Sequence, residues 1–151
     1  FRSSVLYITV GIEEELMFRS VVTECVLRKN SNIIVFASVY SGLLFGLAHI
    51  TNFIFDADMT MFNKWCTMIM ACVFGFTLAV IFLKTKSIGA VITLHFLWDF
   101  ADFMNHMMIV ERYRYGGSYN ALALQIPVLI VMFVIAVFCM YNKRQMRLQS
   151  V

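Results

Sequence analysis

The stretch Gly11-Ile12-Glu13-Glu14-Glu15-Leu16-Met17-Phe18-Arg19 places three carboxylates and a guanidinium in a run that is otherwise apolar. Apolar residues flank the charges on both sides. An ionisable group at the centre of a membrane helix costs roughly 2.5–3.5 kcal/mol on insertion scales, so such groups generally mark functional sites. We therefore expect a site here. The alternative is that the three glutamates lie at a membrane interface and only solvate the end of a helix.

The composition is that of a multi-pass membrane protein. Hydrophobic residues make up 61% of the 151-residue chain and charged residues 14%, against roughly 45–50% and 25% in soluble domains. The mean hydropathy is +0.80. The net charge of +3 is small, and the absence of a basic patch interleaved with aromatics argues against a nucleic-acid partner. Four scattered cysteines without a CxxC pair are interpreted as small buried hydrophobes, namely Cys25, Cys66, Cys72 and Cys139.

Five hydrophobic segments follow one another, each close to the roughly 20 residues that span a bilayer. Their approximate bounds are 5–27, 33–55, 61–83, 88–110 and 121–141. Because helices satisfy their own backbone in lipid, the predicted fold is all-α, a multi-pass transmembrane helical bundle of about five helices in a single domain, 1–151. The chain starts at Phe1, without Met and close to an apolar run, so we expect further helices upstream.

The distribution of basic residues predicts the orientation in the membrane. The loops after the first, third and fifth segments contain seven lysines and arginines, and the opposite side contains four: Arg28, Lys29, Lys84, Lys86, Lys143, Arg144 and Arg147 against Arg2, Lys64, Arg112 and Arg114. The positive-inside rule therefore places the C-terminus in the cytoplasm. If the source is bacterial, we expect the protein to lie in the plasma membrane. Small residues at four-residue spacing predict close helix packing, at Ser38, Gly42 and Gly46 and at Ala71, Gly75 and Ala79.

Polar residues recur on three of the segments. Glu15 and Arg19 are four residues apart, in the favourable order for an intrahelical ion pair, whereas Glu14 points about 100° away and has no local partner. The second segment presents Ser41, Phe45 and His49 on one stripe at four-residue spacing. The fourth presents a longer stripe on one face, with His95, Asp99, Asp102 and His106. A stripe of that length should face the bundle interior or a water-filled cavity, although the His106 end is better explained as the solvated mouth of the helix.

Two chemistries can use this set of residues. A carboxylate and an imidazole can deprotonate a water that attacks a carbonyl while other polar groups stabilise the oxyanion. Alternatively, two histidines and a carboxylate can bind zinc, which then activates the water. No HExxH motif favours the metal, and no GxSxG or neighbouring Cys and His indicates a nucleophile.

Three short motifs together resemble a known family. Glu14 to Arg19 fits EExxxR, Phe45 to His49 fits FxxxH, and His95 to Asp99 fits HxxxN/D. In this order, on successive apolar segments, they resemble the CPBP family of intramembrane proteases. That family includes the type II CAAX prenyl endopeptidases and the bacterial Abi proteins associated with bacteriocin processing and immunity.

The resemblance implies a glutamate-dependent, metal-independent membrane endopeptidase without a cofactor. Glu14 and His49 would activate water, and His95 with Asp99 would hold the oxyanion. Glu15, Arg19 and Phe45 would give structural support. Asp99 stands where the eukaryotic members carry Asn, and an ionised carboxylate cannot donate a hydrogen bond. Asp99 is therefore either protonated, or it orients His95 and leaves the oxyanion to the histidine.

Several alternatives remain open. His49 and His95 lie about sixteen and about eight residues from the same side of the membrane, a depth difference of roughly 12 Å in straight helices, which conflicts with a single site. A zinc protease, a non-proteolytic immunity or scaffolding protein of the same fold, and a proton relay are also compatible with the residues. Substrates compatible with the resemblance are a prenylated CAAX protein, a peptide pheromone and a bacteriocin leader. The oligomeric state is not predicted.

Overall fold

In the computed structural model, the described residues are 2–23, 34–55, 60–114 and 122–141. Every regular element in these ranges is helical, which confirms the all-α prediction for them. Helix α1 spans Arg2–Glu15 and continues as a π-helix over Leu16–Thr23. The remaining helices are α2 (Ile34–Ala48), α3 (Thr51–Phe55), α4 (Met61–Thr85), α5 (Ile88–Arg114) and α6 (Leu122–Tyr141).

The sequence predicts a single helical segment over 5–27, and the structure corrects this prediction. The helix begins at Arg2 and changes from α to π geometry directly after Glu15. A π-helix bonds each carbonyl to the fifth residue along rather than the fourth. The hydroxyl of Thr23 follows the same offset and donates to the Phe18 carbonyl at 2.7 Å. The change of geometry therefore falls inside the charged stretch.

The second predicted segment, 33–55, is also wrong as a continuous helix, because it breaks at His49. The backbone N–H of His49 bonds to Gly46, and that of Ile50 bonds to Leu47, at 3.1 and 3.0 Å. Both are three-residue steps, which end an α-helix. The Phe45 carbonyl, which an α-helix would bond to the His49 N–H, contacts the His49 side-chain Nδ1 at 2.9 Å instead. The side chain thus takes the place of the backbone in this turn.

The third and fourth segments end later than predicted. Helix α4 runs to Thr85 rather than Leu83, and α5 runs to Arg114 rather than Val110. The link between them is tight. Lys86 adopts a left-handed conformation with φ of 54°, the usual way of ending a helix, and the hydroxyl of Ser87 accepts the Ala90 N–H at the start of α5.

The small residues of α2 and α4 bring these two helices together, as their spacing predicts. A Cβ added to Gly42 would lie 2.7 Å from the Cys72 carbonyl oxygen and 2.8 Å from the Phe76 nitrogen. A Cβ on Gly46 would meet the Cys72 sulfur, and one on Gly75 would lie 2.7 Å from the Phe45 Cβ. The backbones therefore approach as closely as glycine allows.

The Gly42→Ala variant should be destabilised by about 1–3 kcal/mol, because its methyl group would press on the backbone of α4, which cannot move aside. Thermal unfolding in detergent measures the effect as a lower Tm. Gly89→Ala is the matched control, because a Cβ there meets nothing within 4 Å; it should be at least as stable as the wild type. Equal melting temperatures for the two variants would contradict this account of the α2–α4 contact.

Of the described helices, one contains a stretch long and apolar enough to cross a membrane, Lys64–Thr85 in α4. Two further apolar stretches are shorter, Val35–Ala48 and Ile126–Phe138. The loop after the first segment, with Arg28 and Lys29, and the basic C-terminal tail lie outside the described residues, as do Cys25 and the side chains of His106 and Cys139. Cys66 and Cys72 are free thiols.

Candidate active site

The ion pair predicted between Glu15 and Arg19 is present and fully buried. Both side chains are 0% exposed, and Arg19 Nε lies 2.8 Å from Glu15 Oε2. The Arg19 NH2 group donates to Glu15 Oε1 at 3.1 Å. The guanidinium also lies over the Phe45 ring, 5.2 Å from its centroid, a cation–π arrangement. Pairing of this kind is what allows two opposite charges to be buried together.

Glu15 has a second partner that its sequence spacing does not predict. Its Oε1 lies 2.8 Å from Nδ1 of His95, a residue 80 positions away on α5. A carboxylate in this ion pair only accepts hydrogen bonds, so Nδ1 of His95 is the donor. Glu15 therefore connects the charged stretch of α1 to the polar face of α5, in addition to neutralising Arg19.

The other nitrogen of His95 faces two more carboxylates. His95 Nε2 lies 3.5 Å from Glu14 Oε2 and 3.6 Å from Asp99 Oδ2. The imidazole is 5% exposed, whereas the side chains of Glu14 and Asp99 are 29% and 21% exposed. Glu14, for which the spacing predicts no local partner, thus has one on α5. The arrangement is a buried imidazole beneath two carboxylates that solvent or a ligand can reach.

His49 lies beside the same cluster. Its Nδ1 is 2.9 Å from the Phe45 carbonyl, and since a carbonyl only accepts, this nitrogen carries the proton and Nε2 of the neutral ring is left with a lone pair. The Phe45 ring centroid is 5.0 Å from that of His49 and 5.7 Å from that of His95. Asp99 also lies within electrostatic range of both His49 and Glu14.

The depth difference of roughly 12 Å predicted for His49 and His95 from straight helices is therefore wrong, since both rings pack on Phe45. The prediction assumed straight helices that begin at the same depth, and two rings that pack on one side chain do not fit that assumption. His49 lies in the turn that follows α2, which ends at Ala48. The seven residues selected from the three motifs, from Glu14 to Asp99, form one connected cluster.

Two further side chains contribute to the cluster: Ser41, from the predicted stripe of Phe45 and His49, and Phe74, which was not singled out from the sequence. Ser41 accepts a hydrogen bond from Arg19 NH1 at 3.2 Å, and Phe74 packs edge-on against His95, with centroids 5.3 Å apart. Trp98 stacks on Phe74, with ring centroids 5.0 Å apart. Ser41 stands one helical turn before Phe45, as the four-residue stripe predicts. Nothing in the sequence near Phe74 distinguishes it from other core aromatics.

Only part of the polar stripe of α5 belongs to the cluster. His95 and Asp99 join the cluster, and Asp102 is exposed and interacts electrostatically with Asp99. Within the described ranges, no group of three His, Cys, Asp or Glu side chains is arranged to hold a metal ion.

Comparison with known families agrees with the motifs. Residues 2–101 match the type II CAAX prenyl endopeptidase Rce1-like family. The match covers about two thirds of the chain and contains every residue of the cluster, so the chain belongs to this family of membrane-embedded proteases. The resemblance drawn from the three motifs is thereby confirmed. Comparison with curated proteins and with solved structures gives no match.

Proposed function

We propose that the protein is a multi-pass membrane endopeptidase that hydrolyses a peptide bond in a membrane-associated or prenylated substrate, with a water molecule as the nucleophile. The observation that carries the proposal is the position of His95, which contacts Glu14, Glu15 and Asp99 while sharing the Phe45 ring with His49. Acceptors and a donor for hydrolysis are thus gathered at one place. Membership of an endopeptidase family supports peptide-bond hydrolysis as the class of reaction.

Glu14 and His49 are the water-activating groups. Glu14 supplies a partly exposed carboxylate, and Nε2 of His49 supplies a lone pair because Nδ1 is committed to the Phe45 carbonyl. Both are hydrogen-bond acceptors, and a water has two hydrogens to donate. A water held by both presents an oxygen lone pair to the substrate carbonyl. Glu14 takes the proton as the C–O bond forms and passes it to the leaving amine as the C–N bond breaks.

His95 is the oxyanion donor in this mechanism. Its Nδ1–H is bound by Glu15, and its Nε2 faces two carboxylates, an arrangement that favours a proton on Nε2 as well. The imidazolium then offers Nε2–H to the tetrahedral oxyanion, and such preorganised donors are typically worth 10²–10³-fold in rate. This supports the second interpretation of Asp99, in which it orients His95 and leaves the oxyanion to the histidine.

The cluster joins α1, α2 and α5, so these helices must cross the same part of the bilayer if the substrate is membrane-associated. We therefore place α1, α2, α4, α5 and α6 as membrane helices, with the C-terminus in the cytoplasm, as the basic loops indicate. The required partners are the bilayer and a peptide or lipidated protein. No cofactor takes part in the proposed steps.

The His49→Ala variant tests the proposal. Purified protein in lipid nanodiscs is incubated with a prenylated CAAX peptide, its unprenylated counterpart and a bacteriocin-leader peptide, and the products are read by mass spectrometry. We expect the wild type to cleave at least one probe and His49→Ala to be slower by at least about 10²-fold. Wild-type rates in the variant, or intact probes with wild-type protein, would contradict the mechanism.

A chelator separates the water mechanism from a zinc-dependent one. We expect the rate of probe cleavage to be unchanged after dialysis against a chelator, because the proposed steps use only side chains. Loss of cleavage that added zinc restores would instead assign Glu14, His49 and His95 to a metal.

A further inference from the structure

We propose that Ser41 is a positioning residue of this site: it anchors Arg19, and through Arg19 and Glu15 it fixes the His95 ring with Nε2 toward Glu14 and Asp99. The inference rests on the proposed function, since it concerns the same reaction. It is carried by a chain of buried hydrogen bonds that runs through α2, the π-helical part of α1 and α5. Ser41, Arg19 and Glu15 are all 0% exposed.

The direction of this chain follows from which groups can donate. A guanidinium has no acceptor, so Ser41 Oγ accepts from Arg19 NH1. The single hydroxyl proton of Ser41 is then left for the Phe18 carbonyl, 3.3 Å away. That carbonyl lies in the π-helical segment and also accepts from Thr23 at 2.7 Å. Ser41 is thereby held in one orientation, with its lone pair toward Arg19.

His95 makes one short hydrogen bond, to Glu15 Oε1, and the same oxygen accepts a hydrogen bond from Arg19. The bond from Nδ1 to Glu15 is 2.8 Å, whereas the contacts of Nε2 are 3.5 and 3.6 Å. The ring orientation is therefore set at Glu15. Oε1 of Glu15 accepts from both His95 and Arg19 NH2, so the position of the guanidinium determines where this oxygen lies.

Ser41 is the link of Arg19 to another helix through a hydrogen bond. The other polar contacts of the guanidinium in the described residues go to Glu15, on its own helix. Without the Ser41 hydroxyl, Arg19 and Glu15 can shift together as a pair, and the His95 ring shifts with them. The consequence falls on Nε2, the atom that the proposed mechanism uses.

The test compares Ser41→Ala with Ser38→Ala, a second fully buried serine on the same helix. In the nanodisc assay we expect Ser41→Ala to lower kcat roughly tenfold with KM unchanged, the loss that one hydrogen bond to a charged group corresponds to. Ser41→Thr retains the hydroxyl and should recover most of the rate. Ser38→Ala should turn over at the wild-type rate.

A second readout does not depend on activity. The chain has three histidines, so ¹⁵N-histidine labelling resolves their ring nitrogens, with His95→Gln as the assignment variant. We expect the Nδ1–H signal of His95 to shift in Ser41→Ala and to return in Ser41→Thr. A shifted signal in a protein that cleaves no probe would support the positioning role while sinking the proposed function. An unshifted signal with an unchanged kcat would overturn the positioning role.

The Arg19→Lys variant covers the case in which Ser41→Ala folds poorly, and where both fold, Ser41→Ala/Arg19→Lys completes a double-mutant cycle. Arg19→Lys keeps the charge for Glu15 and loses the NH1 donor, so it breaks the same link from the other side. If the link is what matters, the double variant should be no worse in kcat than the poorer single variant. Additive losses in kcat, or equal losses of kcat in the Ser41 and Ser38 variants, would show that Ser41 is an ordinary packing residue.

Discussion

Glu14→Gln should abolish detectable peptide hydrolysis, with a fall in kcat toward the upper end of the roughly 10²–10⁴-fold range for a general base. Gln is nearly isosteric with Glu and keeps an acceptor oxygen, but it cannot take up the proton of the attacking water. The lost contact to His95 is a long one, 3.5 Å, so the fold should be unaffected. The measurement is product formation by purified protein in nanodiscs.

Glu13→Gln is the matched control for this prediction. Glu13 neighbours Glu14 in sequence, is exposed, and has no role in the proposed steps, so its variant should cleave at the wild-type rate. Peptide that remains bound to Glu14→Gln can be recovered and sequenced, which would identify the substrate class. Retained cleavage by Glu14→Gln, or equal losses in both variants, would remove Glu14 from the mechanism.

Arg19→Met should cost about 3–5 kcal/mol of stability, because it removes the guanidinium that is paired with the buried Glu15 carboxylate. Glu15 is 0% exposed and has its ion pair with Arg19, so water cannot replace the guanidinium without opening the helix contact. The change also removes the donor to Ser41 and the cation over Phe45. Reduced yield of folded protein and a lower Tm in detergent measure the effect.

The double variant Glu15→Gln/Arg19→Met separates charge burial from geometry. Removing both charges together avoids the uncompensated carboxylate, so the double variant should recover much of the stability lost in Arg19→Met. It should nevertheless be a poor enzyme, because Gln at position 15 no longer holds His95 through a charged acceptor. A double variant that is less stable than Arg19→Met would show that the pair stabilises the fold by more than mutual neutralisation.

The parts of the site that the sequence predicted are local ones. Glu15 and Arg19 are four residues apart on one helix, so their pairing follows from helical geometry. The glycines of α2 predicted a close helix contact for the same reason, since their spacing marks one face. The motif match then predicted which residues share a site, although it could not supply the contacts among them.

The parts that the sequence did not predict depend on contacts between distant residues. The bond between Glu15 and His95 joins positions 80 residues apart, and no spacing rule reveals it. The break at His49 arises because a side chain competes for a backbone carbonyl, which hydropathy cannot register. The π-helical segment after Glu15 is likewise invisible to a periodicity of 3.6 residues.

Phe45 has a further consequence for the reaction. Its ring packs against both His49 and His95, and its Cβ rests against Gly75, where any side chain would collide with it. In the proposed mechanism one of these imidazoles holds the attacking water and the other binds the oxyanion of the same peptide carbonyl. The space that the two imidazoles leave for the water and the oxyanion therefore depends on a hydrocarbon ring that takes no part in proton transfer. A change of residue size at position 45 or 75 would therefore change the rate of hydrolysis without altering any titratable group.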